Sequence, residues 1–288
     1  MEITLNEVRA QIDCVDNEIK TCFKKRMELA EQVAVVKSKT SDTIFKPDRE
    51  MQIIEKLTEN VNQDIVMEYT ALLKRIMEIS RKYQYKKTME LKDGLAHLYI
   101  EEANVPEKVG MLKQELYICD TVSKDIVETY DSFAELGEAL RKGEVDAGIG
   151  VFETVGRGVD NDLHGMISRN GFFIQRCDVV EDSGARKKVI TFSREFSVRE
   201  DDNRLKLMFV CPNRGGSLAA ILSMIADYGV NLTEIHSHPN SETEWNYEFF
   251  AEIEANYRQP DIQALVFQLE NETDKLSVMG SYRCEGDF

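Results

Sequence analysis

The sequence has no apolar run close to the ~20 residues that a transmembrane helix needs, which argues against a membrane protein. Its first residues lack the basic and apolar regions of a secretory signal peptide. Its six cysteines include no CxxC pair, so they predict neither a zinc site nor a disulfide framework. We therefore expect reduced thiols in a cytoplasmic protein.

Positive charge is also scarce. The 288 residues include 36 Lys and Arg against 52 Asp and Glu, a formal net charge of −16. Such an acidic chain is a poor partner for nucleic acid or for an anionic membrane surface. A small anionic substrate remains compatible, because it needs only a local cationic pocket. The hydrophobic share of 42% supports packed cores, and the length predicts two or three small domains.

The first 85 residues contain no glycine and only one proline, Pro47, which predicts helix throughout. A Thr4-x-x-Glu7 capping box opens the first helix, and its apolar stripe continues to Val36, a length of roughly 50 Å. The two helices expected at 47–61 and 64–85 are too short to cover this stripe. We infer that the chain forms a homodimer, or a dimer of dimers, in which the long helices bury each other. An ordinary coiled coil is the alternative that the spacing alone favours.

Polar side chains interrupt these apolar stripes. Arg26 and Lys37 do so on the first helix, and Ser80 and Gln84 do so on the third. A buried cation is costly without an anionic partner, although one isolated arginine can reach solvent by snorkelling. The whole set indicates a polar pocket inside a helix bundle. The second helix adds one cation and one carboxylate directly after Pro47, namely Arg49 and Glu50. This pocket suits a small dianion that carries a hydroxyl group.

Residues 5–84 resemble the all-helical chorismate mutase family, whose members are intertwined dimers of three-helix chains. The resemblance depends on an ordered set of landmarks: Arg9, Ile12-Asp13, Asp16, Arg26, Glu28-Leu29-Ala30, Lys37, Pro47-Asp48-Arg49-Glu50, Ser80 and Gln84. Lys46 departs from the pattern, because many relatives have an acidic residue there beside the substrate hydroxyl.

The resemblance implies the Claisen rearrangement of chorismate to prephenate, a pericyclic reaction that needs no metal and no cofactor. It further implies that Arg26, Arg49 and an Arg9 from the partner subunit bind the two carboxylates, with support from Ser80. Lys37 and Gln84 then face the ether oxygen, and Glu50 takes the ring hydroxyl.

The last segment alternates strands and helices in the order βαββαβ, a ferredoxin-like unit. It resembles the ACT regulatory domain of phenylalanine-pathway enzymes through Asn231-Leu232-Thr233 and Tyr247-Glu248-Phe249-Phe250. The resemblance implies an amino-acid effector, with phenylalanine first, at residues Gly215, Gly216, Ser217, Leu218, Asn231, Leu232, His236 and His238. His236 and His238 share one face of a strand, but no third ligand accompanies them in the sequence, so we expect no metal.

Through Phe133-Ala134-Glu135-Leu136 and the run of residues 143–153, the middle segment resembles part of a prephenate dehydratase. Its catalytic motifs are changed, because Glu153-Thr154-Val155 stands where the family has Glu-Asn-Ser, and Lys187-Lys188-Val189 stands where it has Thr-Arg-Phe. A glycine-rich opening motif is missing, and the segment has about 100 residues against nearly twice that in the family. We therefore expect a single degenerate lobe without activity.

The predicted architecture is multidomain. An all-α three-helix chorismate mutase domain occupies 1–87, a small α/β lobe occupies 94–196, and an α+β ACT domain occupies 204–288. The predicted function is a chorismate mutase regulated by an amino acid. A fully bifunctional chorismate mutase/prephenate dehydratase is one alternative. The other is a non-catalytic regulator whose helical domain only dimerises.

Overall fold

The computed structural model describes residues 3–40, 42–92, 97–101, 103–121, 126–182, 184–239 and 247–285. It divides into two compact units, Met1–Leu95 and Ala96–Phe288. Three segments were predicted, and the second unit contains both the middle and the last of them. The three-domain division therefore stays a prediction. In the described residues, no helix is both long enough and apolar enough to cross a membrane.

The first unit consists of three helices: α1 (Leu5–Thr40), α2 (Pro47–Thr58) and α3 (Val66–Lys92). The predicted capping box is present at the start of α1, where the Glu7 N–H donates to Thr4 Oγ1 and the Thr4 N–H donates to Glu7 Oε2. Pro47 occupies the first turn of α2, where a missing N–H costs nothing.

Helix α1 has one face buried within the chain and one face that the chain leaves open. Ala30 and Ala34 are buried, as are Leu73 and Met77 of α3, and α1 packs against α3. The predicted apolar stripe is different, because at least 41% of each of these side chains is exposed: Leu5, Ile12, Val15, Ile19, Leu29, Val33 and Val36. Arg26 and Lys37 are half-buried, whereas the side chains of the stripe around them are exposed.

The second unit is built on one ten-stranded sheet. Its strands are β1 (Val109–Leu112), β2 (Val127–Tyr130), β3 (Ala147–Thr154), β4 (Gly158–Val159), β5 (Phe173–Asp182), β6 (Ala185–Ser193), β7 (Arg204–Val210), β8 (Leu232–Pro239), β9 (Tyr247–Ile253) and β10 (Lys275–Cys284). The strand order is β2-β1-β3-β6-β5-β10-β7-β9-β8, with β4 paired to β3. The helices are a 3₁₀ helix (Lys113–Thr121), α4 (Phe133–Lys142), α5 (Asn161–Asn170), α6 (Ser217–Asp227) and α7 (Pro260–Glu272).

The elements from Arg204 to Cys284 follow the order βαββαβ, and their strands pair antiparallel in the order β10-β7-β9-β8. Helices α6 and α7 cover the face of this sheet that carries Leu207 and Ala251. The opposite face, which carries Met208 and Phe250, packs into the core of the middle segment.

Strand β10 joins the two halves of the second unit. It pairs antiparallel with β7 and then, at its end, pairs parallel with β5 through Cys284 and Cys177. Gly280, with φ 146°, lies at a register shift within the β10–β7 pairing, and a Cβ there would come within 2.4 Å of the Ile174 carbonyl oxygen. Only glycine fits this close approach of two backbones.

Candidate active site

A polar cluster lies where the three helices of the first unit meet. Arg26 of α1 donates from Nη1 to the Ile76 carbonyl of α3 at 3.2 Å and also to Ser80 Oγ. Ser80 is buried, with 2% of its surface exposed. The structure therefore brings together two of the residues that the sequence assigned to the pocket.

Lys37 occupies the other end of this cluster. Its Nζ donates to the carbonyls of Thr43 and Ile44 at 2.7 and 2.9 Å, so the connection between α1 and α2 folds back over it. Lys46, which departs from the family pattern, instead pairs with Asp42 at 2.7 Å on the surface.

Glu50 of α2 is held by an arginine that the sequence analysis missed. Both of its carboxylate oxygens accept from Arg81 Nη1, at 2.7 and 2.6 Å. Arg81 is buried, and its guanidinium lies 4.6 Å from the centre of the Phe45 ring. The signal was available, because Arg81 stands four residues after Met77 and four before Tyr85, on the same buried face of α3.

Burial and neighbouring charges change the pKa values of the two cations in this cluster. Burial lowers the pKa of the Arg26 guanidinium, and the charge of Glu50 opposes this. Burial also lowers the pKa of Lys37, whose surroundings include the charges of Asp42, Lys46, Arg49 and Glu50. Half-buried cations are poorly solvated, so an anion that reaches them binds more strongly than it does at an exposed site.

Three other predicted residues differ in their surroundings. Gln84 has a buried Oε1 with no hydrogen-bond partner in the described residues. Arg49 is exposed, and so is Arg9. Arg9 precedes Arg26 by 17 residues of one continuous helix, which places it about 25 Å away along the axis. Arg9 therefore does not reach the Arg26 cluster of its own chain.

The predicted effector residues of the second unit fall at two ends of one sheet. Gly216, with φ 85°, precedes α6, and Ser217 Oγ is buried without a hydrogen-bond partner in the described residues. This loop follows the end of β7 at Val210, whereas Leu232 lies level with Leu205 at the beginning of β7. Val210 and Leu205 are five residues apart along β7, a distance of about 17 Å. The glycine loop of one chain therefore does not reach the Asn231-Leu232 segment of the same chain.

His236 lies on the sheet face opposite α6. Its ring stacks on Phe250 with centroids 5.1 Å apart and meets the ring of His164 edge-on at 4.7 Å. His238, two residues further along, is at the end of the strand, with Nδ1 2.9 Å from the Pro239 carbonyl. His236 thus points toward a buried cluster, which includes His164 and Glu234.

The structure also brings the altered dehydratase motifs side by side. Thr154 pairs with Lys187 across β3 and β6, and Glu153 pairs with Lys188. Lys188 Nζ lies 2.9 Å from Glu153, and Lys187 Nζ lies 2.6 Å from Asp182. Val155, the last motif position, is half exposed.

A cavity of about 400 Å³ beside these strands includes a carboxyl group that sequence analysis missed. Glu115, on the 3₁₀ helix, is only 7% exposed and accepts from the Val151 N–H at 3.4 Å. Burial raises the pKa of Glu115 to about 7, and nearby Asp160 adds to the rise. No local pattern marks this residue, because its burial depends on strands far along the chain.

The raised pKa of Glu115 predicts a pH-dependent loss of stability. Glu115 contributes fully to the free energy of unfolding below about pH 4.5. This contribution is lost as pH rises through 7, because the carboxyl group ionises at lower pH in the unfolded chain than in the folded one. We expect Glu115→Gln to gain stability relative to the unmodified chain between pH 5 and pH 8, by at most about 3 kcal/mol. Urea unfolding at both pH values measures this gain. The exposed Glu181→Gln is the control, and an equal Glu115→Gln effect at both pH values contradicts the prediction.

A comparison with known protein families shows which family the helical unit matches. Residues 8–85 match the family model described as chorismate mutase type II. Residues 8–85 are a chorismate mutase type II domain. The bifunctional chorismate mutase/prephenate dehydratase of Aquifex aeolicus is 20% identical over 96% of this chain and 97% of its own length. The Neisseria gonorrhoeae enzyme with the same name is 30% identical over 28% of this chain and 22% of its own length. The family resemblance predicted from the sequence is confirmed.

The alignment with the Aquifex aeolicus relative also shows that this chain is shorter than the alignment. It runs over 358 positions, so the difference from 288 residues leaves at least 70 positions of the relative without a counterpart here.

Solved structures show a shared fold. The prephenate dehydratase of Streptococcus mutans has a TM-score of 0.51 at 17% identity and aligns with 61% of this chain and 98% of its own. The prephenate dehydratase of Arthrobacter aurescens, solved in complex with L-Phe, has a TM-score of 0.51 at 14% identity, covering 61% and 89%. The mixed-sheet unit therefore has a prephenate dehydratase-like fold.

Proposed function

We propose that this chain is a chorismate mutase, which converts chorismate to prephenate in aromatic amino-acid biosynthesis. The observation that carries the proposal is the cluster of Arg26, Lys37, Glu50 and Ser80 within the segment that matches the type II model. A domain that only dimerises needs no half-buried cations, because desolvating them costs free energy. This argues against the non-catalytic regulator.

The proposed mechanism is a pericyclic rearrangement, in which one C–O bond breaks while one C–C bond forms. No nucleophile and no proton transfer are required. The chain contributes by holding the reactive diaxial conformer and by stabilising the negative charge that develops on the ether oxygen.

Each residue of the cluster has a proposed role. Arg26 and Arg49 bind the two carboxylates, together with Arg9 from a second copy, and Ser80 supports this binding. Lys37 and Gln84 face the ether oxygen. Gln84 is proposed to donate to the ether oxygen from its amide Nε2, because its carbonyl oxygen can only accept.

Glu50 is proposed to accept a hydrogen bond from the ring hydroxyl. A carboxylate offers about four lone-pair sites, so the contact with Arg81 leaves Glu50 capacity for a substrate hydroxyl. We assign Arg81 the task of positioning Glu50, because the guanidinium is held by Phe45 and does not rely on the substrate.

The proposal includes a homodimer or a dimer of dimers. The exposed stripe of α1 supports this, because seven large apolar side chains of one helix face outward in the single chain. The distance of Arg9 from its own Arg26 supports a site completed by the second copy.

The proposal further holds that prephenate is the final product. Ion pairs occupy the altered motif positions, where Lys188 binds Glu153 and Lys187 binds Asp182. Loss of water and CO₂ from prephenate needs an acid set against the leaving hydroxyl. At least 70 positions of a bifunctional relative have no counterpart in this chain, which supports a missing lobe.

Phenylalanine is the proposed effector, bound between two copies. Backbone N–H groups at Gly215 and Gly216 suit its carboxylate, and the buried, unpartnered Ser217 Oγ supports a polar ligand there. Leu218, Asn231, Leu232 and His238 complete the proposed site. His236 is left out of it, because its ring faces His164.

One assay at pH 8 tests the function. We expect the enzyme to consume chorismate and accumulate prephenate without phenylpyruvate, and we expect millimolar phenylalanine to change the rate. Tyrosine and tryptophan serve as comparisons, and a sample without protein gives the uncatalysed background.

Each contrary outcome selects an alternative. Enzyme-dependent phenylpyruvate at pH 8 favours the bifunctional enzyme, and acid must be avoided because it converts prephenate spontaneously. Chorismate that persists in the presence of folded protein favours the non-catalytic regulator. A rate that no aromatic amino acid changes removes the effector proposal.

A further inference from the structure

Three potential metal ligands converge in the core of the second unit, whereas the mutase cluster belongs to the first unit. His164 lies on α5, while Glu234 and His236 lie on β8. One ligand atom from each residue lies within 4.8 Å of the other two. The residues come from two segments of the chain that are about 70 positions apart in sequence.

His164 presents an unused nitrogen to this cluster. Its Nδ1 lies 2.8 Å from the Asp160 carbonyl oxygen, which can only accept, so Nδ1 carries the proton and Nε2 carries a lone pair. Nε2 is buried and has no hydrogen-bond partner in the described residues, and the side chain is 1% exposed. A second nitrogen that donates to a backbone carbonyl is the usual arrangement of a metal-binding histidine.

Aromatic rings fix both imidazoles. His164 stacks on Phe152 with centroids 3.7 Å apart, and His236 stacks on Phe250. Neither nitrogen of His236 has a hydrogen bond of good geometry in the described residues, although Nδ1 lies 2.9 Å from Glu234 Oε1. Two imidazoles are therefore held in place with nitrogens available.

Glu234 supplies the negative charge. Lys206, which is fully buried, donates to Glu234 Oε1 at 2.7 Å, while Oε2 has no hydrogen bond in the described residues. Ligating carboxylates are normally hydrogen-bonded on their other oxygen, and Lys206 fills that role. Lys188 lies 3.9 Å from Oε2, but its own charge is compensated by Glu153 at 2.9 Å.

From this geometry we propose that His164 Nε2, one imidazole nitrogen of His236 and a carboxylate oxygen of Glu234 form a binding site for a divalent transition-metal ion, with zinc as the best match. Two histidines and one glutamate are an established zinc donor set that leaves a fourth position open. Tetrahedral bonds of ~2.0–2.2 Å need ligand atoms ~3.4 Å apart, so side-chain movements of up to about 1.4 Å complete the site. The ion links α5 to β8.

Zinc and cobalt titrations of the full chain test this site. After treatment with a chelator, the unmodified protein is expected to bind one Zn²⁺ by calorimetry. Co²⁺ is expected to give the visible absorption of a tetrahedral site, without the intense near-ultraviolet band of thiolate ligands. His164→Asn and His236→Asn are expected to weaken binding by at least about 100-fold, since each removes a direct ligand.

His238→Asn is the matched control, because His238 lies on the same strand and the same face but outside the cluster. It should bind zinc as the unmodified chain does. If His164→Asn does not fold, the less buried His236→Asn and the Co²⁺ spectrum of the unmodified chain decide the result.

Two outcomes overturn the proposal. Absence of stoichiometric binding at 100 μM Zn²⁺ identifies the cluster as a polar network without a metal. Zinc binding that persists in both histidine variants, or that brings thiolate absorption, places the metal at another site. Neither outcome depends on chorismate mutase activity, which the assay at pH 8 tests separately.

Discussion

Arg26→Ala and Lys37→Ala are each expected to lower chorismate mutase turnover about 100- to 1000-fold, equivalent to about 3–4 kcal/mol of transition-state stabilisation. Both cations are half-buried, and burial lowers the pKa of each. Contacts to developing charge are strongest where water is excluded, so their loss mainly reduces kcat. Steady-state kinetics with chorismate gives kcat and KM for each variant.

The control for these variants is Lys25→Ala. Lys25 is exposed and directly precedes Arg26 on α1, so its removal changes the charge of the helix without changing the cluster. Its turnover should be close to that of the unmodified chain, and circular dichroism checks that all three variants fold. Near-normal turnover of Arg26→Ala or Lys37→Ala contradicts the assignment of this cluster as the active site.

Much of the helical unit could be predicted because its signals are local. The capping box at Thr4 and Glu7, the glycine-free composition and the position of Pro47 each fix a helix start or continuity within a few residues. The face to which Arg26 belongs was less predictable. Periodicity gives an angle around the helix, but it does not say which neighbour, α3 or a second copy, occupies that angle.

Arg81 was missed for a related reason. A charged side chain on a helix is usually solvated, and the sequence shows no sign that Glu50 from another helix lies beside it. Only the packing of α2 against α3 creates the pair. The pocket was therefore predicted from residues that break an apolar pattern, while the residue that holds its carboxylate was not.

The second unit shows the limit of local signals more clearly. The alternation around Leu205 and Leu207 predicts a strand in which Lys206, which lies between them, faces solvent. The structure buries Lys206 completely, since the middle segment covers that face of the sheet. The sequence analysis also did not predict that His164 and Glu234 lie close together. Their proximity depends on how β5 and β10 pair, and no short-range pattern encodes that pairing.

Mixing two inactive variants is expected to restore activity if Arg9 completes the site of a second copy. In a dimer of Arg9→Ala and Lys37→Ala chains, one site carries both defects and the other carries neither. Random association after joint unfolding and refolding makes half of the dimers mixed, so about a quarter of the sites are intact. We expect roughly a quarter of the unmodified activity at equal total concentration.

A second mixture controls for nonspecific recovery. Arg26 and Lys37 both lie near Glu50 of their own chain, so a dimer of Arg26→Ala and Lys37→Ala chains has one defect in each site. That mixture should stay as inactive as its parents. Recovery in both mixtures, or in neither, rules out the shared site. The two mixtures differ only if Arg9 contributes to the active site of the other copy. The exposed α1 stripe and the ~25 Å between Arg9 and Arg26 predict recovery in the first mixture alone.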